Sequence, residues 1–162
     1  MNKKTLLGAA LLLVSLAPRA QQATFSYFSY QGDEPRFRKQ IDAGREFFNP
    51  ILAGFYPDPS ICRVGDTYYM VNSSFSFFPG VPLSTSKDLV HWTPAGHVLD
   101  RPSQVPLARQ KVSGGIFAPA ISYNPKNKTF YMITTNVGAG NFYVKSKDPA
   151  KGWSEPIYLA VS

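Results

Sequence analysis

Short apolar segments separated by turn residues run through the chain from Pro50 onward. Residues Ser60 to Val64 and Thr67 to Asn72 flank the dipeptide Gly65-Asp66, and this arrangement predicts a two-stranded hairpin with a tight turn. The second segment contains Tyr68-Tyr69-Met70-Val71, in which consecutive positions are apolar, so we expect a strand that is covered on both faces. The pattern predicts an all-β domain built from short strands.

An internal repeat gives the period of this pattern. Three features each occur twice: Tyr68-Tyr69-Met70-Val71 and Phe130-Tyr131-Met132-Ile133, Ser86-Lys87-Asp88 and Ser146-Lys147-Asp148, and Trp92 and Trp153. Their offsets are 62, 60 and 61 residues, so three separate features agree on one period. Repeats of this length with several strands each are typical of β-propeller blades, whose face-to-face packing also covers strands on both sides. A propeller needs at least about four blades, so we expect a partial propeller of about two blades in an incomplete chain.

The first twenty residues have the features of a secretory signal peptide. Lys3 and Lys4 precede an apolar run from Leu6 to Leu16, which ends in the small-residue stretch Ser15-Leu16-Ala17. The run is shorter than the roughly 20 apolar residues of a membrane span, and the competing interpretation is a buried N-terminal helix of the mature fold. We expect residues 1–20 to be removed and the protein to be exported to the periplasm or out of the cell, without a membrane partner afterwards.

Composition narrows the remaining function classes. Lys and Arg number 17 against 10 Asp and Glu, but three of the basic residues (Lys3, Lys4 and Arg19) lie in the signal peptide; without them the counts are 14 and 10, which does not indicate nucleic-acid binding. The single cysteine, Cys62, excludes a disulfide framework, and its apolar neighbours predict that it is buried.

Residues 21–48 carry mixed charges without clear periodicity, and we interpret them as a lead segment that lies over the surface of the domain formed by residues 49–162. Four aromatic residues are its expected anchors: Phe25, Tyr27, Phe28 and Tyr30.

Most of the ten carboxylates have an ordinary structural explanation. Asp88 and Asp148 recur with the repeat and are expected to cap the turns between strands. Asp66 belongs to the hairpin turn, where aspartate is favoured because it bonds the local backbone. Glu155 follows the second tryptophan and is expected at the surface.

Asp58 is the exception, because prolines flank it on both sides in Tyr56-Pro57-Asp58-Pro59-Ser60. Pro59 favours an extended backbone at Asp58, and the two prolines stiffen the segment directly before a strand. A general base needs such a rigid backbone segment, because its carboxylate must keep a fixed position relative to the substrate. On the local sequence alone, an Asx-type turn between two prolines is the competing interpretation.

Aromatic residues form a second candidate constellation. Phe75, Phe77 and Phe78 precede Pro79-Gly80, and Phe117 lies in Gly114-Gly115-Ile116-Phe117-Ala118-Pro119. Aromatic rings on loops at one mouth of a rigid scaffold can stack against the apolar face of a sugar. The competing interpretation places Phe77 and Phe78 in the core.

The two histidines, His91 and His97, show no metal-ligand spacing to another histidine, to the cysteine or to a carboxylate. The sequence also contains no nucleotide-binding loop, no serine nucleophile elbow and no zinc motif. We therefore predict no metal site and no cofactor.

The opening from Asn49 to Ile61, with Pro57-Asp58-Pro59-Ser60 within it, is the most specific motif of the chain. Further landmarks follow it: Gly65-Asp66, Tyr68-Tyr69, Phe75, Phe78-Pro79-Gly80, Ser86-Lys87-Asp88-Leu89, Trp92 and Gly115-Ile116-Phe117-Ala118-Pro119. Together they resemble glycoside hydrolase family 43, most of all its β-xylosidase and α-L-arabinofuranosidase branch. The resemblance covers roughly residues 49–162.

The resemblance implies a five-bladed β-propeller with its active site at the central axis. It implies inverting hydrolysis of O-glycosyl bonds in plant polysaccharides, with xylo- or arabino-oligosaccharides as partners. Asp58 matches the general base that activates the attacking water, and Phe75, Phe78 and Phe117 match positions that line the sugar pocket. Many members carry Trp at the position of Phe117, so the fit of the sugar is expected to differ there.

The resemblance also implies a Glu general acid and an Asp that tunes it, both from later blades beyond the equivalent of Ser162. Without an acid the leaving alkoxide receives no proton, so we expect the 162-residue chain alone to be inactive. The alternatives are a secreted carbohydrate-binding module that kept the aromatic pocket, and a repeat scaffold for protein contacts, which would not explain the Asp58 segment.

Overall fold

Two antiparallel β-sheets of four strands each form the larger of the two compact units of the chain, residues 40–162. The computed structural model describes residues 26, 27, 29, 32, 34, 38–108 and 110–160. The predicted signal peptide, residues 1–20, lies outside the described residues, as do three of the predicted aromatic anchors (Phe25, Phe28 and Tyr30). The fourth anchor, Tyr27, is exposed. No helix within the described ranges has the length and apolar character of a membrane span.

The first sheet is a meander whose strands neighbour one another in the order of the sequence. They are β1 (Ser60–Val64), β2 (Thr67–Val71), β3 (Gly80–Ser86) and β4 (Trp92–Leu99). Val64 pairs with Thr67, so Gly65 and Asp66 alone form the turn between β1 and β2. Gly65 has φ 62°, a left-handed conformation that tight hairpin turns use and that glycine adopts without steric cost. The predicted hairpin is confirmed, with β2 ending one residue earlier than expected.

The second sheet repeats this arrangement. Its strands are β5 (Ile116–Asn124), β6 (Thr129–Asn136), β7 (Gly140–Ser146) and β8 (Ile157–Tyr158), with a 3-10 helical turn at Pro149–Lys151 before β8. The all-β prediction is confirmed. The structure contains two blade-like sheets and no closed propeller within the described ranges.

The sequence repeat corresponds to the repeat of the sheets. The apolar segments that begin at Tyr68 and Phe130 form the second strand of each sheet, and the two Ser-Lys-Asp segments lie where β3 and β7 end. In each turn the serine hydroxyl accepts a hydrogen bond from the N–H of the aspartate, and the aspartate accepts from backbone N–H groups further on. The bonds are Asp88 to Ser86 (3.2 Å), Val90 and His91 to Asp88 (2.9 and 2.8 Å), Asp148 to Ser146 (3.1 Å) and Ala150 to Asp148 (3.1 Å). The predicted turn-capping role of both aspartates is confirmed.

The two sheets pack face to face around one hydrophobic core. Its buried residues are Val71, Val81, Leu83, Val98, Leu99, Val105, Ile116, Ile121, Phe130, Met132, Phe142, Val144 and Trp153. On β2, the Tyr69 ring contacts Phe130 of the second sheet, while Met70, on the opposite face, is also buried. The expectation that this strand is covered on both faces is confirmed. Cys62 packs against the core but is only half-buried, and burial raises the pKa of its thiol to about 11.

Gln104, which is fully buried, stabilises the segment that connects the two sheets between β4 and β5. Its Oε1 accepts hydrogen bonds from the backbone N–H groups of Asp100 and Arg101 at 3.0 and 3.1 Å, and its Nε2 donates to the carbonyl of Ser154 at 2.9 Å. Arg101 also forms an ion pair with Glu155, with 2.8 Å between the charged atoms. Glu155 is exposed, as predicted, and this ion pair holds its side chain. The segment after β4 is thereby bonded to the segment before β8.

Candidate active site

Polar and aromatic side chains from three segments converge at one end of the two sheets. The segment before β1 carries Asp58, the segment after β2 carries Ser73 and Phe75, and the start of β5 carries Phe117 and Ala118. Because neighbouring strands of a meander run in opposite directions, the start of β1 and the end of β2 lie at the same end of the first sheet.

Backbone contacts fix the chain around Asp58. The carbonyl oxygen of Pro57 accepts hydrogen bonds from the backbone N–H of Ser73 and from Nδ2 of Asn72, each at 3.1 Å. Both donor residues are buried. Asp58 itself has φ 51°, in the left-handed region, so the expectation of an extended backbone before Pro59 is wrong. The two bonds to Pro57 hold the turn against the local preference that proline imposes.

The carboxylate of Asp58 is held through one of its two oxygens. The Ser73 hydroxyl donates to Oδ2 at 2.5 Å, and the same hydroxyl oxygen accepts from the backbone N–H of Ala118 at 2.7 Å. Oδ1 has no hydrogen-bond partner within the described part of the chain, and Asp58 is exposed. An Asx-type turn would bond this carboxylate to a nearby backbone N–H; its contact is instead with a side chain 15 residues away. The interpretation of Asp58 as a purely local turn residue is therefore wrong.

Backbone strain is concentrated at the same place. Asp58, Phe75 and Ala118 have φ values of 51°, 47° and 44°. They are three of the six non-glycine residues with positive φ in the described ranges. Such conformations cost about 1–3 kcal/mol each and persist only where surrounding contacts enforce them, which happens most often at functional sites.

A backbone bridge joins the two sheets beside Asp58. The N–H of Phe75 donates to the carbonyl of Ile116 at 2.9 Å, and the N–H of Ile116 donates to the carbonyl of Phe75 at 3.0 Å. Gly115 permits this approach, because it has φ 89° and a Cβ added there would lie 2.2 Å from the carbonyl oxygen of Phe75. The bridge brings the aromatic segment after β2 to the start of β5.

Four phenylalanines form a connected aromatic group beside the bridge. Phe75 and Phe117 are half-buried and meet edge to face, with ring centroids 4.6 Å apart. Phe55 contacts both Phe75 and Phe77, at 5.7 and 6.3 Å between centroids. Phe77 is 63% exposed and Phe78 48% exposed, so the interpretation that they belong to the core is wrong. Phe78 lies on the same loop and has no ring partner among the described residues.

Four carboxylates of the larger unit have clearly lowered pKa values, and all four are bonded to side chains away from Asp58. A lysine, a histidine or an arginine holds the pKa of each below its ordinary value by a side-chain hydrogen bond. The pairs are Asp66 with Lys87, Asp88 with His91, Asp148 with Lys151, and Glu155 with Arg101. The described residues contain no cluster of three or more histidine, cysteine or carboxylate side chains that could hold a metal ion.

Sequence reasoning singled out Asp58 and the aromatic segments but missed Asn72, Ser73 and Phe55 as parts of the site. A signal for the first two was present, since Asn72-Ser73-Ser74 is a polar run directly after an apolar strand, and all three residues are buried. Buried polar residues need hydrogen-bond partners, but the sequence could not show that the partners lie 15 and 45 residues away.

Comparison with known proteins gives one consistent result. Residues 47–162 match the family described as glycosyl hydrolases family 43. A xylosidase/arabinosidase of Butyrivibrio fibrisolvens is 60% identical over 112 residues, which are 68% of this chain and 21% of that protein. A non-reducing end alpha-L-arabinofuranosidase of Bacteroides ovatus is 50% identical over 122 residues, which are 72% of this chain and 23% of that protein.

Solved structures agree with the sequence comparison. The crystal structure of a GH43_12 protein retrieved from a capybara gut metagenome is 53% identical, with a TM-score of 0.74, and the match covers 80% of this chain and 25% of that one. The chain therefore spans about a fifth to a quarter of the length of the relatives that it matches.

Proposed function

Because the chain belongs to glycosyl hydrolases family 43, we propose that its residues supply the general base and part of the sugar-binding wall of an exported enzyme. This enzyme hydrolyses O-glycosyl bonds in xylan- or arabinan-derived oligosaccharides with inversion of the anomeric centre. The names of the relatives, a xylosidase/arabinosidase and an alpha-L-arabinofuranosidase, support this substrate class. The activity is assigned to the complete enzyme that carries these residues, with Ser162 followed by further blades of a five-bladed propeller.

One observation carries the proposal for the base: the Asp58 carboxylate is exposed, and one of its oxygens is fixed while the other has no hydrogen-bond partner among the residues that the structure describes. A general base in an inverting glycosidase accepts a proton from a water that attacks the anomeric carbon from the face opposite the leaving group. Oδ1 of Asp58 is the oxygen available to accept that proton. Oδ2 keeps the orientation of the carboxylate through its bond to Ser73.

The aromatic group supplies the surface for the sugar. Phe75 and Phe117 present rings against which the apolar face of a pentose can pack, and Phe78 extends the same loop. Because these rings lie beside Asp58, a pentose packed against them would have its anomeric carbon near the water that Asp58 activates. Because Phe has a smaller ring system than Trp, Phe117 leaves more room in the pocket than many members of the family have.

The leaving group requires a general acid about 6.5–9.5 Å from the base, which leaves room for the water between them. Four other carboxylates, Asp66, Asp88, Asp148 and Glu155, are bonded to cations or imidazole at other places. We assign the acid, as the resemblance to the family implies, to the part of the complete enzyme that follows residue 162. The 162 residues alone are then insufficient for turnover.

The substitution Asp58→Asn in the complete enzyme tests this proposal with aryl β-xyloside and aryl α-arabinofuranoside substrates. Loss of proton acceptance should lower kcat by about 10²–10⁴-fold, the range for a general acid or base, while KM changes little. Asp66→Asn is the matched control, because Asp66 is an exposed aspartate in the hairpin turn at the opposite end of β1. Unchanged turnover in Asp58→Asn would contradict the proposal. A parent protein that binds the sugar but shows no turnover would favour a carbohydrate-binding module.

A further inference from the structure

We propose that Ser73 is a positioning residue that sets the orientation of the Asp58 carboxylate and links it to the first strand of the second sheet. This inference rests on the proposed role of Asp58 as the general base. It concerns a residue that the sequence motifs did not include, and it is carried by hydrogen-bond geometry on both sides of one hydroxyl group.

The direction of both hydrogen bonds at Ser73 is determined by chemistry. The backbone N–H of Ala118 can only donate, so at 2.7 Å the Ser73 oxygen is the acceptor. The single hydroxyl proton is then available for Asp58 Oδ2, and the distance of 2.5 Å is that of a charge-assisted O–H···O⁻ bond. Ser73 is 2% exposed, so its hydroxyl group is shielded from bulk water although Asp58 is exposed.

This arrangement determines which oxygen of Asp58 does the chemistry. With Oδ2 bonded to Ser73, rotation of the carboxylate would break a short bond to a buried donor. Oδ1 is therefore held toward the open side of the site, where it can accept a proton from water. Since a misplacement of about 1 Å can cost a reaction about 10²-fold in rate, a fixed carboxylate is worth a large factor in kcat.

The same hydroxyl group joins the base to the aromatic wall. Ala118 directly follows Phe117, and both Ala118 and Asp58 have strained left-handed backbones. Ser73 bonds to both of these residues and is itself fixed through its backbone N–H to Pro57. The base and the aromatic wall consequently keep one relative position.

Ser60 provides a matched comparison. Its hydroxyl oxygen also accepts a hydrogen bond from a backbone N–H of β5, that of Ile121 at 3.1 Å, and it forms no hydrogen bond with the Asp58 carboxylate. Removal of either serine hydroxyl leaves one N–H of β5 without its acceptor. Only the removal of Ser73 also releases the carboxylate.

The test compares Ser73→Ala, Ser73→Thr, Ser60→Ala and Asp58→Asn in the complete enzyme, with kcat, KM and thermal midpoint measured for each. Ser73→Ala should lower kcat by about 10- to 100-fold with KM within about threefold, because the carboxylate loses its orientation but the sugar wall remains. Ser73→Thr keeps the hydroxyl and should recover most of kcat. Ser60→Ala should lose a similar amount of thermal stability and keep kcat within about twofold.

The outcomes separate the two proposals. If Asp58→Asn abolishes turnover but Ser73→Ala has the kcat of Ser60→Ala, the positioning role is wrong and the base assignment stands. If Asp58→Asn retains turnover, the proposed function itself fails. If Ser73→Ala does not fold, Ser73→Cys supplies the measurement. The cysteine thiol is a weaker donor and forms a longer hydrogen bond than the serine hydroxyl, so this variant should lower kcat several-fold. A wild-type kcat in Ser73→Cys would contradict the inference.

Discussion

Asp58 has a backbone conformation that non-glycine residues seldom adopt, and long-range bonds from Asn72 and Ser73 maintain it. The local sequence correctly marked this residue as unusual, because two prolines flank it. The same prolines led to the expectation of an extended backbone, which is wrong since tertiary hydrogen bonds to Pro57 outweigh the local steric preference. At the residue scale, the sequence therefore identified the candidate but not its geometry.

Asp88 gives a pH-dependent prediction at this scale. The side-chain bond from His91, together with the backbone N–H groups of His91 and Val90, lowers the pKa of Asp88 below its ordinary value of 3.8. A carboxyl group whose pKa is lowered by folding stabilises the protein above its unfolded pKa, and this contribution is lost as the pH falls toward the folded pKa.

In the complete enzyme, Asp88→Asn should consequently melt below the wild type at neutral pH. The difference in thermal midpoint should narrow as the pH is lowered from about 4 to about 2, because only the wild type has an ionised carboxylate at position 88 to lose. Thermal melts of both proteins across this range provide the measurement. A difference that stays constant or widens on acidification would show that the ionised form of Asp88 does not stabilise the turn.

At the scale of elements, the apolar and turn patterns predicted the β1–β2 hairpin and the Ser-Lys-Asp turns, because these depend on residues close in sequence. The contacts that build the site could not be predicted in the same way. The Phe75–Ile116 bridge joins residues 41 positions apart in the chain, and its requirement for glycine at position 115 comes from the neighbouring sheet. The sequence also left open whether Phe77 and Phe78 are exposed or belong to the core, since large apolar residues are common in both settings, and the structure shows them exposed.

Gly115→Ala tests the importance of this bridge. The added methyl group would clash with the Phe75 carbonyl, so the bridge must open, and the aromatic pair Phe75–Phe117 must separate. Gly140→Ala is the control, because Gly140 also has a positive φ of 105° but no atom within 4 Å of an added Cβ.

Denaturant unfolding of the complete enzyme should show a cost of about 1 kcal/mol for Gly140→Ala, from backbone strain alone. Gly115→Ala should cost at least about 2 kcal/mol more, since it also breaks two backbone hydrogen bonds and disturbs buried packing. Equal costs for the two variants would mean that the close approach of the sheets does not depend on glycine.

At the scale of the whole molecule, the repeat of about 60 residues predicted two equivalent sheets, and this is confirmed. The sheets share one core, yet each keeps apolar residues on its outward face, with Ile61 46% exposed on β1 and Ile133 43% exposed on β6. Further blades packed on these faces, as in the proposed five-bladed propeller, would cover them and bring a general acid toward Asp58. The repeat could predict the blades, but only the resemblance to a family could assign their chemistry.

The most direct test of the central claim, that Asp58 activates water, is rescue of Asp58→Ala by sodium azide in the complete enzyme with an aryl glycoside. The azide anion can attack the anomeric carbon without a base, while the aryloxide leaves with a proton from the general acid. We predict that azide raises the turnover of this variant by at least about tenfold and forms a glycosyl azide of inverted configuration. An inactive variant that azide does not rescue, or a glycosyl azide of retained configuration, would contradict the assignment of Asp58 as the general base.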